Sequence, residues 1–403
     1  MVTAPLWPVG LESGGMSGRA AARLAGIRPT IFTEMSALAV RTDAINLGQG
    51  FPDVDGPASV VEAAVEALRA GRNQYAPGSG VPELREAVVE HQKRHYGLTW
   101  DPASEVTVST GATEAIAAAL LGLVDPRDEV VVLEPYYDSY TAMIQMAGGV
   151  RRPVTLRAPD FRVEREALEA AVGPRAKLLL VNSPHNPTGR VLDAEERALI
   201  AEIAQAHDLV VVTDEVYEHL TFDGHAHVPL ATLPGMAERT LTISSAGKTF
   251  SFTGWKVGWV TGPAELVRAV EGAKQWLSFS SGAPLQPAIA HALRQEEGFH
   301  VALAAELAEK RDRLCAGLRQ LDVDVHVPQG TYFVTTDVRR YGHADSRAFC
   351  LALPERAGVV AIPSQVFYDD LDEGRHLVRW AFCKDTGLID AGIERLLAAD
   401  LHA

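Results

Sequence analysis

Between about residues 105 and 285, short apolar runs alternate with longer segments of helical periodicity. Strands that are apolar along their whole length are typical of a mostly parallel sheet covered by helices on both faces, because neither face meets water. The alternation therefore predicts an α/β domain. The runs that we interpret as strands are 106–109, 129–133, 177–182, 209–213, 239–244 and 256–261.

The last third of the chain has a different pattern, which predicts a smaller α+β domain. A long helical pattern covers 288–321, strand-like pieces follow at 323–327, 331–336 and 376–382, and 390–399 reads as a terminal helix. We expect three parts: a mobile N-terminal leader at 1–26, a large domain at 46–285, and a small domain formed by 27–45 with 286–403.

Composition narrows the class of protein. The formal charge of −15, with no basic domain to offset it, argues against a nucleic-acid partner. The three cysteines have neither metal-ligand nor redox spacing, so we expect no metal and idle thiols in a reducing compartment. No apolar run approaches the ~20 residues that span a bilayer, and the N-terminus does not resemble a signal peptide. We expect a cytoplasmic protein with no membrane partner.

Polar residues follow four of the predicted strands, at the end where an open parallel sheet binds ligands. They are Gly111 with Ala112, then Asn186, Asp214 and Lys248. Each has an ordinary explanation alone: Asn186 lies in a turn sequence, and Asp214 could cap a helix. Their shared position at strand ends indicates one ligand site.

Lys248 lies in the run SSAGKTFSFTGWKVGW, directly after a strand and eight residues before Lys256. A lysine that is desolvated near a second cation has a lowered pKa, which makes its neutral amine available. A neutral amine is what a Schiff base with a carbonyl cofactor requires.

The other strand ends match the parts of pyridoxal 5'-phosphate. Gly111 and Ala112 open a helix whose free N–H groups suit a phosphate. Asp214 would pair with the pyridine nitrogen and keep it protonated. The remaining expected contacts are Ser245 and Lys256 at the phosphate, Asn186 and Tyr217 at the ring oxygen, Tyr137 against the ring face, and Lys248 at the carbonyl carbon.

The motifs SPHNPTG, TDEVY, SSAGKTFSFTGWKVGW and VRWAFCK resemble those of class I/II aminotransferases, which are pyridoxal-phosphate enzymes of fold type I. The resemblance runs from about residue 27 to 397. It is nearest to the branch that holds kynurenine, glutamine and methionine aminotransferases and the actinobacterial succinyldiaminopimelate aminotransferases, to which INLGQGFPD and NQYAPGSGVPELREAV are similar.

The resemblance implies further roles. Arg379 and Asn186 would bind the substrate carboxylate, and Gly50 would approach it with its backbone. Tyr75 would reach the cofactor phosphate of a neighbouring subunit, which implies a homodimer with shared active sites, and 278–283 would also cross between subunits. An ion pair at the surface is the ordinary alternative for Arg379. Phe32 and Tyr332 are further candidates for substrate contact, and His219 either supports Asp214 or has no role.

The implied reaction moves an amino group from an amino acid to a 2-oxo acid, expected to be 2-oxoglutarate, by a ping-pong Schiff-base mechanism. Lys248 would act as the general acid and base. Succinyldiaminopimelate, methionine, glutamine and kynurenine all remain open as donors. A carbon–sulfur β-lyase uses the same residues and is the alternative, and a non-catalytic regulator that binds the cofactor is a weaker one.

Overall fold

The structure is a computed structural model that describes residues 21–27 and 29–403. Most of the predicted leader therefore lies outside the described residues. The helices are α1 (Ile31–Thr42), α2 (Ala58–Arg69), α3 (Pro82–Tyr96), α4 (Gly111–Leu123), α5 (Asp138–Ala147), α6 (Arg165–Ala171), α7 (Ala194–Ala206), α8 (Ala246–Thr249), α9 (Ala264–Lys274), α10 (Leu285–Gln295), α11 (Glu297–Arg319), α12 (Ser346–Ala357) and α13 (Thr386–Ala398). The strands are β1 (Ile45–Asn46), β2 (Val106–Ser109), β3 (Glu129–Glu134), β4 (Val150–Thr155), β5 (Ala176–Asn182), β6 (Val210–Asp214), β7 (Thr240–Ser245), β8 (Gly258–Thr261), β9 (Asp324–His326), β10 (Phe333–Asp337), β11 (Val359–Val360), β12 (Ile362–Pro363) and β13 (Leu377–Ala381).

A seven-stranded sheet forms the centre, in the order β2-β8-β7-β6-β5-β3-β4. All neighbours pair in parallel except β8, which is antiparallel to both β2 and β7. The predicted mostly parallel α/β sheet is confirmed. Strand β4 was not predicted, because its sequence VRRPVT is largely polar and its side chains are mostly not buried.

The two faces of the sheet explain why its strands are apolar throughout. Along β3, Val131 and Leu133 pack into one hydrophobic cluster, while Val130 and Val132 pack into the cluster on the opposite face. Period-2 alternation places successive side chains on opposite faces, so a strand covered on both sides needs apolar residues at every position.

The C-terminal third builds an antiparallel sheet in the order β12-β13-β10-β9, and β1 pairs in parallel with β11. One hydrophobic cluster joins Met35 and Leu38 of α1 to Phe349 and Val378, which supports the proposed small domain built from both chain ends.

The helical pattern at 288–321 forms two helices rather than one, separated at Glu296 (φ −106°, ψ 36°). Helix α10 packs with α2 and α3, and its Ile289 and Leu293 share a cluster with Val60 and Leu84. We therefore propose that the boundary between the domains lies at the α10–α11 break and not at residue 286. In the described part of the chain, no helix is long and apolar enough to cross a membrane.

Candidate active site

A cavity of about 280 Å³ lies at the carboxyl ends of the central strands. Of the candidates named from the sequence, Tyr75, Tyr332 and His219 do not line this cavity, and Tyr75 is 85% exposed. The predicted residues that line it are Gly50, Gly111, Ala112, Tyr137, Asn186, Asp214, Tyr217, Ser245, Lys248, Lys256 and Arg379. The parallel register explains the convergence, because β5, β6 and β7 all end at the same edge of the sheet.

Lys248 lies in α8, the short helix that begins directly after β7. Its Nζ donates hydrogen bonds to Tyr332 Oη (2.6 Å) and to the carbonyl oxygen of Gly50 (3.2 Å). Burial lowers the pKa of Lys248 to about 8; the nearby Cys383 and Asp214 oppose that shift. The neutral amine is therefore far more available near physiological pH than in an ordinary lysine, as a nucleophilic lysine requires.

Gly50 contributes a carbonyl oxygen, which also accepts a hydrogen bond from Tyr332 Oη. A Cβ at this position would lie 2.5 Å from the ring of Phe333, so any larger residue would displace the aromatic wall of the cavity. Tyr332 itself is 1% exposed and lies behind Lys248. It positions the amine and does not line the cavity.

Asp214 is the last residue of β6 and is 5% exposed. Burial raises the pKa of Asp214 to about 6, while the hydrogen bond from Tyr140 Oη to Oδ2 lowers it. The side chain of Asn182 donates to the backbone carbonyl of Asp214 (2.8 Å) and so fixes the strand end. A buried carboxylate held in place by neutral donors is ready to pair with a cationic group of a ligand.

An anion-binding corner lies at the N-terminus of α4. Gly111 has φ +76°, a conformation that favours glycine, and a Cβ added there would lie 3.2 Å from Lys256 Nζ. The first N–H groups of α4 lack partners within the helix, and the dipole is positive at this end. Among the described residues, no carboxylate forms an ion pair with Lys256, and Ser245 adds a hydroxyl to the same cavity.

Arg379 lies on β13 and is 1% exposed, which excludes the alternative of an ion pair at the surface. Its guanidinium donates to Asn186 Oδ1 (3.0 Å) and to the carbonyl oxygen of Gly48 (2.9 Å). The ring of Phe333 lies 3.9 Å from its central carbon. Burial lowers the pKa of Arg379 to about 10. Within the described residues, no carboxylate pairs with this cation and Nε has no hydrogen-bond partner, so an anionic ligand would stabilise it.

Tyr217 and Tyr137 complete the cavity wall. Tyr217 lies edge-on to Tyr332, with ring centroids 5.2 Å apart, and burial raises its pKa, so its phenol is a donor at neutral pH. The ring centroids of Tyr137 and Phe32 are 6.3 Å apart, and burial raises the pKa of Tyr137 to about 12. Phe32 lines the cavity as an apolar wall.

Sequence reasoning missed Tyr140 and Asn182 and underestimated Tyr332. Both could have been predicted from their positions. Tyr140 follows the predicted site residue Tyr137 by one helical turn, and Asn182 is the last residue of a predicted strand. His219 does not support Asp214: its Nε2 lies 2.8 Å from His91 Nε2, in a separate histidine cluster.

Tyr75 is placed apart from the cavity. Its ring packs edge-on against Phe279, with ring centroids 5.5 Å apart. Trp276, three residues before Phe279, is 83% exposed. The loop at 278–283 also contacts the anion-binding corner of its own chain, through Ser278 Oγ at 3.4 Å from Thr110 Oγ1.

The residues fit the cofactor that the resemblance implies. Pyridoxal phosphate needs an amine, a carboxylate and an anion-binding corner around one cavity, and Lys248, Asp214 and Lys256 with α4 provide them. The unpaired Arg379 leaves a further place for a carboxylate.

The chain is similar to known proteins in both sequence and fold. The family model described as "Aminotransferase class I and II" matches residues 42–396. The probable N-succinyldiaminopimelate aminotransferase of Mycobacterium tuberculosis is 53% identical over 385 residues, covering 93% of this chain and 97% of that protein. The solved structure of the M. tuberculosis enzyme superimposes with a TM-score of 0.92 at 54% identity, covering 94% of this chain and 99% of the other.

Two further relatives have different names. The methionine aminotransferase of Escherichia coli is 39% identical over 374 residues, with 93% of this chain and 97% of that protein covered. A kynurenine–oxoglutarate transaminase of Dictyostelium discoideum is 36% identical over 407 residues, with 92% and 94% covered. The resemblance seen in the sequence motifs is confirmed.

Proposed function

The chain belongs to the class I and II aminotransferases and is an aminotransferase, and from that premise we propose that it uses pyridoxal 5'-phosphate bound in the cavity described above. The observation that carries the proposal is the buried Lys248 amine, which shares one cavity with the Asp214 carboxylate and the anion-binding corner. When bound, the cofactor supplies a carbonyl carbon that condenses with amines and a ring that draws electrons from the substrate Cα.

Each part of the cofactor has a proposed partner. The N–H groups of Gly111 and Ala112 would hold the phosphate together with Ser245 and Lys256. Asp214 would hold the pyridine nitrogen. Asn186 and Tyr217 would bind the ring oxygen, and Tyr137 would lie against the ring. Tyr140 and Asn182 support this set by fixing the carboxylate and the end of β6.

The remaining residues act on the substrate. Arg379 binds the α-carboxylate of the donor, and its contacts with Asn186 and Gly48 fix the plane of the guanidinium. Lys248 Nζ would take the proton from the donor Cα as a general base and then, as the general acid, would deliver it to the carbonyl carbon of the cofactor and not back to the donor. Tyr332 and the carbonyl of Gly50 orient that amine.

We propose N-succinyldiaminopimelate as the amino donor and 2-oxoglutarate as the acceptor. The donor is supported by 53% identity to the mycobacterial relative, against 39% and 36% for the methionine and kynurenine relatives. The name of the Dictyostelium relative supports 2-oxoglutarate as acceptor. Methionine, glutamine and kynurenine are the competing donors.

We also propose a cytoplasmic homodimer in which Tyr75 reaches the phosphate of the other subunit. Exposed aromatic residues support an interface: Tyr75 is 85% exposed, Trp276 83% and Phe279 50%.

The proposed cytoplasmic location is supported by the cysteines. Cys315, Cys350 and Cys383 are buried and form no disulfide, as expected in a reducing compartment.

Two measurements test the proposed dimer. Tyr75→Phe should weaken retention of the cofactor, and sedimentation of the wild type should show a dimer.

A donor panel tests the activity. N-Succinyldiaminopimelate, methionine, glutamine and kynurenine are each offered with 2-oxoglutarate, and glutamate formation is measured. We expect the first to have the highest kcat/KM and parallel double-reciprocal lines, as ping-pong kinetics require. A preference for another donor would overturn the substrate assignment. Pyruvate formed from cysteine conjugates without an oxo acid, in the absence of amino transfer, would indicate the β-lyase instead.

Lys248→Ala tests the role of the lysine, with Lys93→Ala as the control at an exposed position. We expect the first variant to lose turnover and the absorbance of the covalently held cofactor, and the second to keep both. Substantial amino transfer by Lys248→Ala would refute the proposed site.

A further inference from the structure

A cluster of histidine rings lies between α3, the segment after β6 and the start of α11, outside the cavity. His91 and His95 are one helical turn apart on α3, and His219 follows β6 by five residues. The three ring centroids are 4.5 to 4.9 Å apart. The ring of His300, in the first turn of α11, stacks on His219 at 4.1 Å.

The ring nitrogens of this cluster converge. One nitrogen from each of His91, His95 and His219 lies within 4.8 Å of the other two. Within the described residues, His95 Nε2 is buried and has no hydrogen-bond partner, and His91 faces His219 through its Nε2. Buried polar atoms without partners are costly, and convergent imidazole nitrogens are the donor set that zinc and similar ions use.

Charged groups also lie near the cluster. Glu218 Oε2 lies 4.0 Å from His219 Nε2, and the carboxyl group accepts hydrogen bonds from Tyr96 Oη and Ser244 Oγ. The nearby Arg94 opposes a cation but is itself within 3.8 Å of Glu297.

We propose that His91, His95 and His219 bind one divalent transition-metal ion of the Zn²⁺ type, with water as the fourth ligand. Zinc–nitrogen bonds of about 2.0–2.1 Å in a tetrahedron place ligand nitrogens about 3.3 Å apart. His91 Nε2 and His219 Nε2 are now 2.8 Å apart, so small rotations of the side chains would open the closest pair and draw in the third. The sequence predicted no metal, since only the cysteine spacing was considered.

The ion would have a structural effect near the cavity. His219 is two residues from Tyr217, so a metal shared with α3 would tie the segment that carries Tyr217 to a second helix. The site is independent of the proposed reaction, because none of its ligands lines the cavity.

The test is a zinc titration of the full-length protein, purified in its native state and freed of metal by chelator and dialysis. We expect calorimetry to give one Zn²⁺ per chain for the wild type, and His95→Gln and His219→Gln each to weaken binding at least about tenfold. His207→Gln removes an exposed histidine and is the matched control, which should bind like the wild type.

Co²⁺ provides a second measurement that does not depend on the variants folding. Bound by three imidazoles and water, it should give the intense visible bands of four-coordinate cobalt, and Zn²⁺ should remove them. The thermal midpoint of the wild type should also rise with Zn²⁺ while that of His95→Gln stays constant. Absence of stoichiometric binding in the wild type, or equal loss in His207→Gln, would overturn the proposal and leave a metal-free histidine cluster.

Discussion

Arg379 and Arg311 are both almost completely buried, with 1% and 3% of each residue exposed, yet their surroundings differ. Arg311 donates to Asp223 and Asp312 and to the carbonyl oxygen of Pro328, so its charge is matched within the fold. Arg379 contacts an amide and a carbonyl oxygen and has aromatic rings around it, with no carboxylate partner among the described residues. A cation that the fold neutralises stabilises the fold, whereas one that it leaves unmatched is available to a ligand.

The largest expected difference between the two arginines is in activity. Arg379→Met should lower kcat/KM by about 10³-fold or more, because the bidentate hydrogen bonds to the substrate carboxylate are lost. Arg311→Met should change kcat/KM per folded molecule by less than about threefold. Steady-state kinetics on both variants, corrected for the folded fraction by circular dichroism, would measure this. Comparable losses of kcat/KM in the two variants would contradict the proposed difference between the two arginines.

Stability should respond in the opposite order. Arg311→Met should lower the free energy of unfolding by about 1–3 kcal/mol, since it loses buried hydrogen bonds while its acidic partners stay largely solvated. Arg379→Met should be neutral or slightly stabilising, because an unmatched buried charge is removed. Urea unfolding of the cofactor-free proteins checks this. A larger loss in Arg379→Met would mean that this guanidinium is structural.

The contributions of Asp214 and Asp223 to the free energy of unfolding should depend on pH with opposite signs. Burial raises the pKa of Asp214 to about 6, so folded Asp214 keeps a proton that the unfolded chain has lost. Its contribution to stability therefore falls as the pH rises from about 4 to about 6, by about 1–3 kcal/mol. The hydrogen bond from Arg311 lowers the pKa of Asp223, whose contribution is instead lost as the pH falls through its lowered pKa.

Unfolding of the cofactor-free wild type, Asp214→Asn and Asp223→Asn between about pH 2.5 and pH 7 would measure both effects. The wild type should lose stability relative to Asp214→Asn as the pH rises, and gain it relative to Asp223→Asn. A constant difference between the wild type and Asp214→Asn would contradict the raised pKa.

The smallest expected effect comes from Tyr140, the hydroxyl donor to Asp214. Tyr140→Phe should weaken retention of pyridoxal phosphate about threefold to tenfold, because one hydrogen bond to the carboxylate is lost. Equilibrium dialysis with fluorescence detection would show the change. Tyr136→Phe, whose hydroxyl contacts Asp369 outside the cavity, is the control and should retain the cofactor normally.

The sequence predicted every strand of the central sheet except β4, and in the C-terminal third it predicted β9, β10 and β13 but not the two-residue strands β11 and β12. Strands β3, β5 and β6 were visible because burial on both faces requires apolar residues at every position. The half-exposed β4 gave no such signal. The α10–α11 break at Glu296 was missed because apolar residues at helical spacing lie on both sides of it, such as Leu293 before it and Leu303 after it.

Some residues of the candidate site could be predicted from the sequence, and others depend on contacts between distant parts of the chain. Asp214, Asn186 and Lys248 follow predicted strands, so sheet geometry alone places them together. Tyr332 lies 84 residues from Lys248, and the hydrogen bond between them depends on how the C-terminal third packs against the large sheet.

By itself, the sequence determined the α/β class, the strand ends that converge on one cavity and the motifs of an aminotransferase, because these depend on periodicity and on residues close together in the chain. Only the tertiary structure decided that Arg379 is buried without a carboxylate partner among the described residues, that Tyr140 holds Asp214, and that His219 lies with His91 and His95. Burial and long-range contacts set those charges and pKa values, and neither is encoded by spacing along the chain.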